Sequence, residues 1–163
     1  MGIFKISPAV LLMVAIINTA GCRTVEPAPA PVLMVCEHGS VKSLMAASLF
    51  NQAAVERRLP YRAIARGVNP DPSVPAPIAA ALAQEGIDVK EYVPTRFSGA
   101  EVAGASRVIA IGVDPVALSP AANVPIDSWS DVPAASVNYG AARDSLKQHV
   151  DALLNEMQRK PDR

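Results

Sequence analysis

A cysteine at the end of an apolar segment is the first feature of this sequence that could carry out chemistry. Residues 32–35 are all apolar, Cys36 follows them, and a polar loop containing Gly39 leads into a helical pattern that starts near residues 40–42. In such a loop the free backbone N–H groups of the helix start can face an anion, and the helix dipole adds positive potential. Positive potential also stabilises a thiolate, the nucleophilic form of cysteine. The spacing therefore predicts a nucleophile and an oxyanion site in one loop.

The elements that must position this loop alternate between short apolar runs and helical patterns. Predicted strands cover residues 31–36, 61–67, 106–113 and 124–129, and predicted helices cover about 40–57, 78–84 and 138–159. This alternation predicts an α/β fold, a small doubly wound four-stranded parallel sheet with helices on both faces. Ligands in such folds bind beyond the carboxyl ends of the strands, where Cys36 is expected to lie.

The composition argues against several classes of function. The chain of 163 residues has a formal net charge of zero, without a basic patch dense enough to bind nucleic acid. His38 and His149 are the only histidines and lie far apart in sequence, so no metal site is expected. No cofactor is implied. The two cysteines, Cys22 and Cys36, are expected to have different roles rather than to form a disulfide.

The N-terminal segment is typical of a targeting sequence. Residues 1–21 combine Lys5 with a short apolar run that is followed by small residues. The stretch Thr19-Ala20-Gly21-Cys22 resembles the lipobox of bacterial lipoproteins, which implies cleavage before Cys22 and lipidation of its sulfur. Residues 22–30 form a proline-rich tether that would hold a folded domain, residues 31–160, outside the cytoplasm at a membrane, on the periplasmic side or the cell surface. An ordinary secretory signal or an uncleaved anchor, with Cys22 a bystander, is the alternative.

The folded region resembles the low-molecular-weight protein tyrosine phosphatases and the arsenate reductases related to them. That family opens with a strand, Cys-x5-Arg-Ser and a helix, and the positions that match here are Cys36, Ser43, Met45, Ala46, Leu49 and Phe50. Later segments follow in the family's order along the chain. Residues 66–68 stand where the family has Ser-Ala-Gly, and three further segments resemble the family's own: Gly86-Ile87-Asp88, 107–111, and Trp129-Ser130-Asp131-Val132-Pro133 beside its Asp-Pro loop.

The resemblance implies a cysteine-dependent phosphatase acting on phosphotyrosine or a small phosphomonoester. Cys36 would attack phosphorus, Asp131 would serve as general acid and then as base, and Ser43 would donate to the sulfur. Asp127 is the alternative general acid. Backbone N–H groups would hold the phosphoryl oxygens, and they belong to Glu37, His38, Gly39, Ser40, Val41 and Lys42.

Three positions depart from the family pattern. Lys42 replaces an arginine, Gly39 replaces an asparagine that braces the loop, and Val132 separates Asp131 from its proline. Lysine offers one compact charge where arginine offers a planar fork, so weakened catalysis is expected. An arginine elsewhere could compensate, and the candidates are Arg62, Arg66 and Arg96.

Two other functions fit the same residues. A lysine and a glycine at key loop positions are compatible with a non-catalytic module that binds phosphate or another oxyanion. Arsenate reduction would need an external thiol, because the chain has no cysteine besides Cys22 to resolve an adduct on Cys36. Small thiols are scarce in oxidising exported compartments, which disfavours the reductase.

Overall fold

A parallel sheet forms the centre of the structure, a computed structural model that describes residues 28–118 and 124–159. Its strands are β1 (Val32–Cys36), β2 (Ala63–Gly67), β3 (Arg107–Ala110) and β4 (Ile126–Ser128), in the order β2-β1-β3-β4. All three strand pairs are parallel. The predicted α/β fold is confirmed. The predicted signal segment and most of the tether, including Cys22, lie outside the described residues.

Helices cover both faces of this sheet. They are α1 (Lys42–Glu56), α2 (Ala76–Gln84), α3 (Gly99–Ala103) and α4 (Tyr139–Arg159), with a short 3-10 helix at Pro115–Leu118. One core cluster packs Met34 against Phe50 and Leu146, and the other packs Leu33 and Val35 against α3. Because β1 is buried on both faces, its sequence is apolar throughout instead of alternating. Within the described ranges, no helix is long and apolar enough to cross a membrane.

Two of the differences from the sequence-based expectation have an identifiable local cause. Helix α3 was not predicted, although Ser98 and Glu101 form a reciprocal capping box at its start, a signal that is visible in the sequence. Strand β3 ends at Ala110 and not at Val113. Gly112, at φ +66°, takes the chain out of the extended conformation there.

Close backbone contact holds the loop after β1 against the end of β2. Gly39 has φ +68°, and a Cβ added to it would lie 2.9 Å from Gly67 N. A Cβ added to Gly67 would lie 2.8 Å from Gly39 N and 2.9 Å from the carbonyl carbon of His38. Only a residue without a side chain fits at either position, so this glycine pair sets the distance between the two loops.

We predict that Gly67→Ala destabilises the protein by about 1–3 kcal/mol, because the new methyl group meets backbone atoms that cannot rotate away. Urea unfolding would measure the change. The control is Gly99→Ala, since a Cβ at Gly99 has no atom within 4 Å; its effect should stay within about 1 kcal/mol. Equal effects of the two substitutions would contradict the steric argument.

Candidate active site

The sulfur of Cys36 lies at the centre of a set of hydrogen-bond partners. Sγ lies 3.1 Å from Ser43 Oγ, and the backbone N–H groups of Gly39 and Ser43 donate to it at 3.3 and 3.4 Å. The thiol donates to the Ser43 hydroxyl, and after ionisation the hydroxyl can donate to the thiolate instead. Cys36 and Ser43 are both buried. The environment is therefore suited to holding a negatively charged sulfur.

The backbone orientation of the loop follows from where its carbonyl groups are bound. The carbonyl oxygens of Cys36, Glu37 and His38 accept hydrogen bonds from the backbone N–H groups of Val68, Asn69 and Asp71. In a planar trans peptide, the N–H of the next residue points away from its carbonyl. The N–H groups of residues 37–39 therefore point away from the loop that follows β2, and that of Gly39 reaches Cys36 Sγ.

Side-chain hydrogen bonds also hold the Cys36 loop in place. The Tyr92 hydroxyl donates to the Gly39 carbonyl at 2.7 Å. Burial raises the pKa of Tyr92 to about 12, with Arg66 opposing the rise and Cys36 adding to it, so the phenol stays a donor at neutral pH. The buried Ser40 hydroxyl donates to Asp71, whose carboxylate also faces His38 Nδ1 at 3.5 Å.

The start of α1 adds unneutralised positive potential. Val41 occupies the N-cap without a side-chain hydrogen bond, and no acidic residue lies in the first turn. The nearby carboxylate of Glu37 accepts a hydrogen bond from Asn69 Nδ2 at 2.7 Å. The backbone donors at the helix start are thus left for an anion.

Lys42 lies on the β3 side of this loop. A Cβ added to Gly112 would lie 2.6 Å from Lys42 Nζ, so the ammonium group packs against that glycine. None of the three candidate compensating arginines lines the cavity around Cys36. Arg66 pairs with Glu101, Arg96 binds Val68 O and Asn69 Oδ1, and Arg62 precedes β2 at the opposite edge of the sheet.

The two expected acid residues do not line the pocket that contains Cys36, and each has another partner. Asp131 contacts His149 Nε2 through both carboxylate oxygens, at 2.9 and 3.0 Å, and its side chain is 67% exposed. The His149 ring in turn stacks on Trp129, with ring centroids 4.7 Å apart. Asp127 pairs with Arg107 at 3.0 Å. Neither aspartate lines the cavity, so the structure brings Cys36 and Ser43 together without them.

A cavity of about 590 Å³ opens above Cys36. Its walls are formed by α2, the loop before α4 and the Cys36 loop. The apolar lining residues are Val41, Pro75, Pro77, Ile78, Ala81, Ala134 and Ala135, and the polar ones besides Cys36 are Glu37, His38, Lys42, Ser136 and Tyr139. The Tyr139 hydroxyl donates to Glu85, and burial together with Glu85 raises the pKa of Tyr139 to about 12. The site thus combines a thiol, an anion-binding loop and largely apolar walls.

Among residues 28–118 and 124–159 no cluster of histidine, cysteine and carboxylate side chains could hold a metal ion. Cys36 is the one cysteine in these ranges, so they offer no second thiol to resolve an adduct on it.

Sequence reasoning missed Asp71 and Tyr92, the residues that brace the loop. Parallel pairing places Cys36 beside Gly67, so the residues after β2 must lie next to the loop after β1. A parallel pairing of β1 with β2 would have indicated residues 68–71 as the neighbours of the Cys36 loop. Tyr92 reaches the loop from a segment without regular structure, and no local sequence pattern indicates such a contact.

Comparison with known proteins identifies the fold. No protein-family model matches the chain, and no curated protein matches it in sequence. Among solved structures, YfkJ from Bacillus subtilis superposes with a TM-score of 0.72 at 19% identity, covering 83% of this chain and 99% of that one.

Two further structures carry descriptive names. A low molecular weight protein tyrosine phosphatase from T. tengcongensis has a TM-score of 0.67 at 21% identity, covering 77% of this chain and 98% of its own. The thioredoxin-dependent arsenate reductase Cg_ArsC1' of Corynebacterium glutamicum has a TM-score of 0.69 at 16% identity, covering 82% and 64%. The chain therefore has the fold that low-molecular-weight protein tyrosine phosphatases share with arsenate reductases.

Proposed function

We propose that this protein is a cysteine-dependent phosphatase that hydrolyses phosphomonoesters through a phosphocysteine intermediate. The observation that carries the proposal is the Cys36 sulfur, which lies within 3.4 Å of the Ser43 hydroxyl and of two backbone N–H groups. The peptide planes of the loop also turn the N–H groups of residues 37 and 38 away from the loop that follows β2. A nucleophile and a preorganised oxyanion site are the two requirements for displacement at phosphorus.

The reaction proceeds as two displacements at phosphorus. The Cys36 thiolate forms an S–P bond while the P–O bond to the leaving group breaks, and the leaving oxygen takes up a proton. Water then attacks phosphorus, the S–P bond breaks, and the thiolate and phosphate are released. Ser43 stabilises the thiolate each time it is free, and the backbone donors of residues 37–42 hold the non-bridging oxygens.

The cavity walls favour an aryl phosphate, such as phosphotyrosine, over a sugar phosphate. Pro75, Pro77 and Ile78 on one side face Ala134 and Ala135 on the other. An apolar slot of this kind binds an aromatic ring by burying it, whereas sugar hydroxyls would lose hydrogen bonds to water there.

We further propose that the domain is exported and held at a membrane by lipid on Cys22. The support is the sequence of residues 1–22, with its apolar run and lipobox-like end, followed by a proline-rich tether. A thioether-linked anchor would leave Cys36 as the free thiol of the mature chain.

Oxyanion binding without turnover is the second candidate function. The observation in its favour is Lys42, which offers a single charge and packs against Gly112. Arsenate reduction with an external thiol is the third, supported by the fold shared with the Corynebacterium glutamicum enzyme.

We predict that p-nitrophenyl phosphate is hydrolysed slowly by the wild-type protein and not by Cys36→Ser. Lys42→Arg should raise kcat/KM by about 10²–10³, because a planar fork adds a second bond to the transferring group. Steady-state kinetics measures both changes. Undetectable wild-type turnover together with a phosphate-dependent rise in Tm would favour the binding module. Arsenite release that depends on Cys36 and an added small thiol would favour the reductase.

We also predict that Ala81→Glu raises KM for an aryl phosphate about tenfold. A carboxylate in the cavity wall would repel the substrate dianion by about 1.4 kcal/mol. Ala80→Glu is the matched control, because Ala80 is exposed on the same helix and does not line the cavity. If both variants change KM equally, the substrate does not occupy this cavity.

For the anchor, we predict that Cys22→Ser abolishes incorporation of labelled palmitate and releases the protein from washed membranes. Cys36→Ser is the control and should remain labelled and membrane-bound. A Cys22→Ser protein that stays in the membrane fraction would indicate an uncleaved anchor instead.

A further inference from the structure

A proton donor for the leaving group is the part that the site still needs. The phenolate of an aryl ester leaves easily only if its oxygen is protonated as the P–O bond breaks. Asp131 and Asp127 are both paired with other residues outside the cavity. The donor must therefore be sought among the groups that line the cavity with Cys36.

Most polar groups of the lining are unsuited to this role. The Glu37 carboxyl group already has Asn69 Nδ2 as a hydrogen-bond partner, at 2.7 Å. Lys42 packs against Gly112, and Tyr139 donates its proton to Glu85. Ser136 has a hydroxyl, which is a weak acid at neutral pH. His38 remains, and imidazole is the side chain most often used for proton transfer near neutral pH.

His38 faces the carboxylate of Asp71, which is itself held by a hydrogen bond from Ser40. Asp71 Oδ1 faces His38 Nδ1 at 3.5 Å, while the Asp71 N–H donates to the His38 carbonyl at 3.0 Å. The other carboxylate oxygen accepts from the fully buried Ser40 hydroxyl. Because Asp71 faces Nδ1, the opposite ring nitrogen, Nε2, is free of this partner. The His38 side chain is 59% exposed, so it can contact a substrate.

From this arrangement we infer that His38 is the catalytic acid and base of the proposed phosphatase, and that Asp71 is its positioning residue. The inference rests on the proposed function. It assigns to the Cys36 loop itself a role that the resemblance gives to an aspartate on another loop.

The proton then moves in a closed cycle. As Cys36 Sγ forms the S–P bond, the electron pair of the breaking P–O bond stays on the leaving oxygen, which takes the proton from His38 Nε2. In the second step neutral Nε2 takes a proton from water, whose oxygen forms the new P–O bond. The electron pair of the S–P bond returns to sulfur, and His38 is again protonated.

Four charged or titratable side chains surround His38. Glu37 adjoins it in the loop, Asp71 faces it from the loop after β2, Lys42 lies at the start of α1, and Tyr139 lies across the cavity. The α2 residues of the lining carry no charge. An acid must be protonated to act, so kcat/KM should fall at high pH, where the acid has lost its proton.

The test compares two leaving groups. His38→Gln should lower kcat/KM for phenyl phosphate by about 10², the lower end of the usual effect of a general acid. It should lower kcat/KM for 2,4-dinitrophenyl phosphate much less, because that leaving group departs without a proton. The fall of kcat/KM at high pH should disappear in the variant. Asp71→Asn should show the same dependence on the leaving group with a smaller loss, since the imidazole stays but the carboxylate that faces Nδ1 is removed.

The second histidine–aspartate pair of the structure supplies the control. His149→Gln removes a histidine that pairs with an aspartate outside the cavity and should not change the ratio of the two rates, whereas Asp131→Asn tests the rival acid that the resemblance implies. Two results would contradict the role of His38 but not the proposed phosphatase activity. One is a loss of kcat/KM in Asp131→Asn that is larger for phenyl phosphate than for 2,4-dinitrophenyl phosphate. The other is an equal loss of kcat/KM for both esters in His38→Gln. Absence of any Cys36-dependent turnover would overturn both.

Discussion

The hydrogen bonds between the carbonyl groups of the Cys36 loop and the backbone that follows β2 are the interaction on which the site depends. They fix three successive peptide planes, and with them the direction of the N–H groups on the other side. A free loop would turn some of its carbonyls toward the sulfur and repel an anion. Because these three carbonyl acceptors are occupied, the loop presents the N–H groups of residues 37–39 on its other side. The uncapped start of α1 then adds to the same potential.

The parallel sheet brings the two interacting loops next to each other. Parallel strands bring their carboxyl ends to one edge, so the loops after β1 and β2 meet there. The glycine pair lets their backbones approach within contact distance. Ser40 and Asp71 then join the two loops through side chains, with the Ser40 hydroxyl buried. Anion binding is therefore a property of two loops together, even though the nucleophile belongs to one.

The sequence predicted the parts of this structure that depend on local pattern. The alternation of apolar runs and helices indicated the parallel sheet, and the run before Cys36 indicated a strand buried on both faces. It also placed Cys36, Ser43 and the intervening loop correctly relative to one another, because they are close in the chain. Where Asp131 points could not be predicted, because that depends on His149, which lies 18 residues further on and on a different element. The pairing of His38 with Asp71 spans two loops in the same way.

The two ends of β1 face opposite sides of the domain. The chain enters the sheet at Val32, on the edge where Arg62 and Arg107 also lie, and Cys36 stands at the other edge. Val32 and Cys36 are the two ends of a five-residue extended strand and lie about 13 Å apart. Any attachment made through residues before Pro31 would therefore hold the domain by the side remote from its cavity.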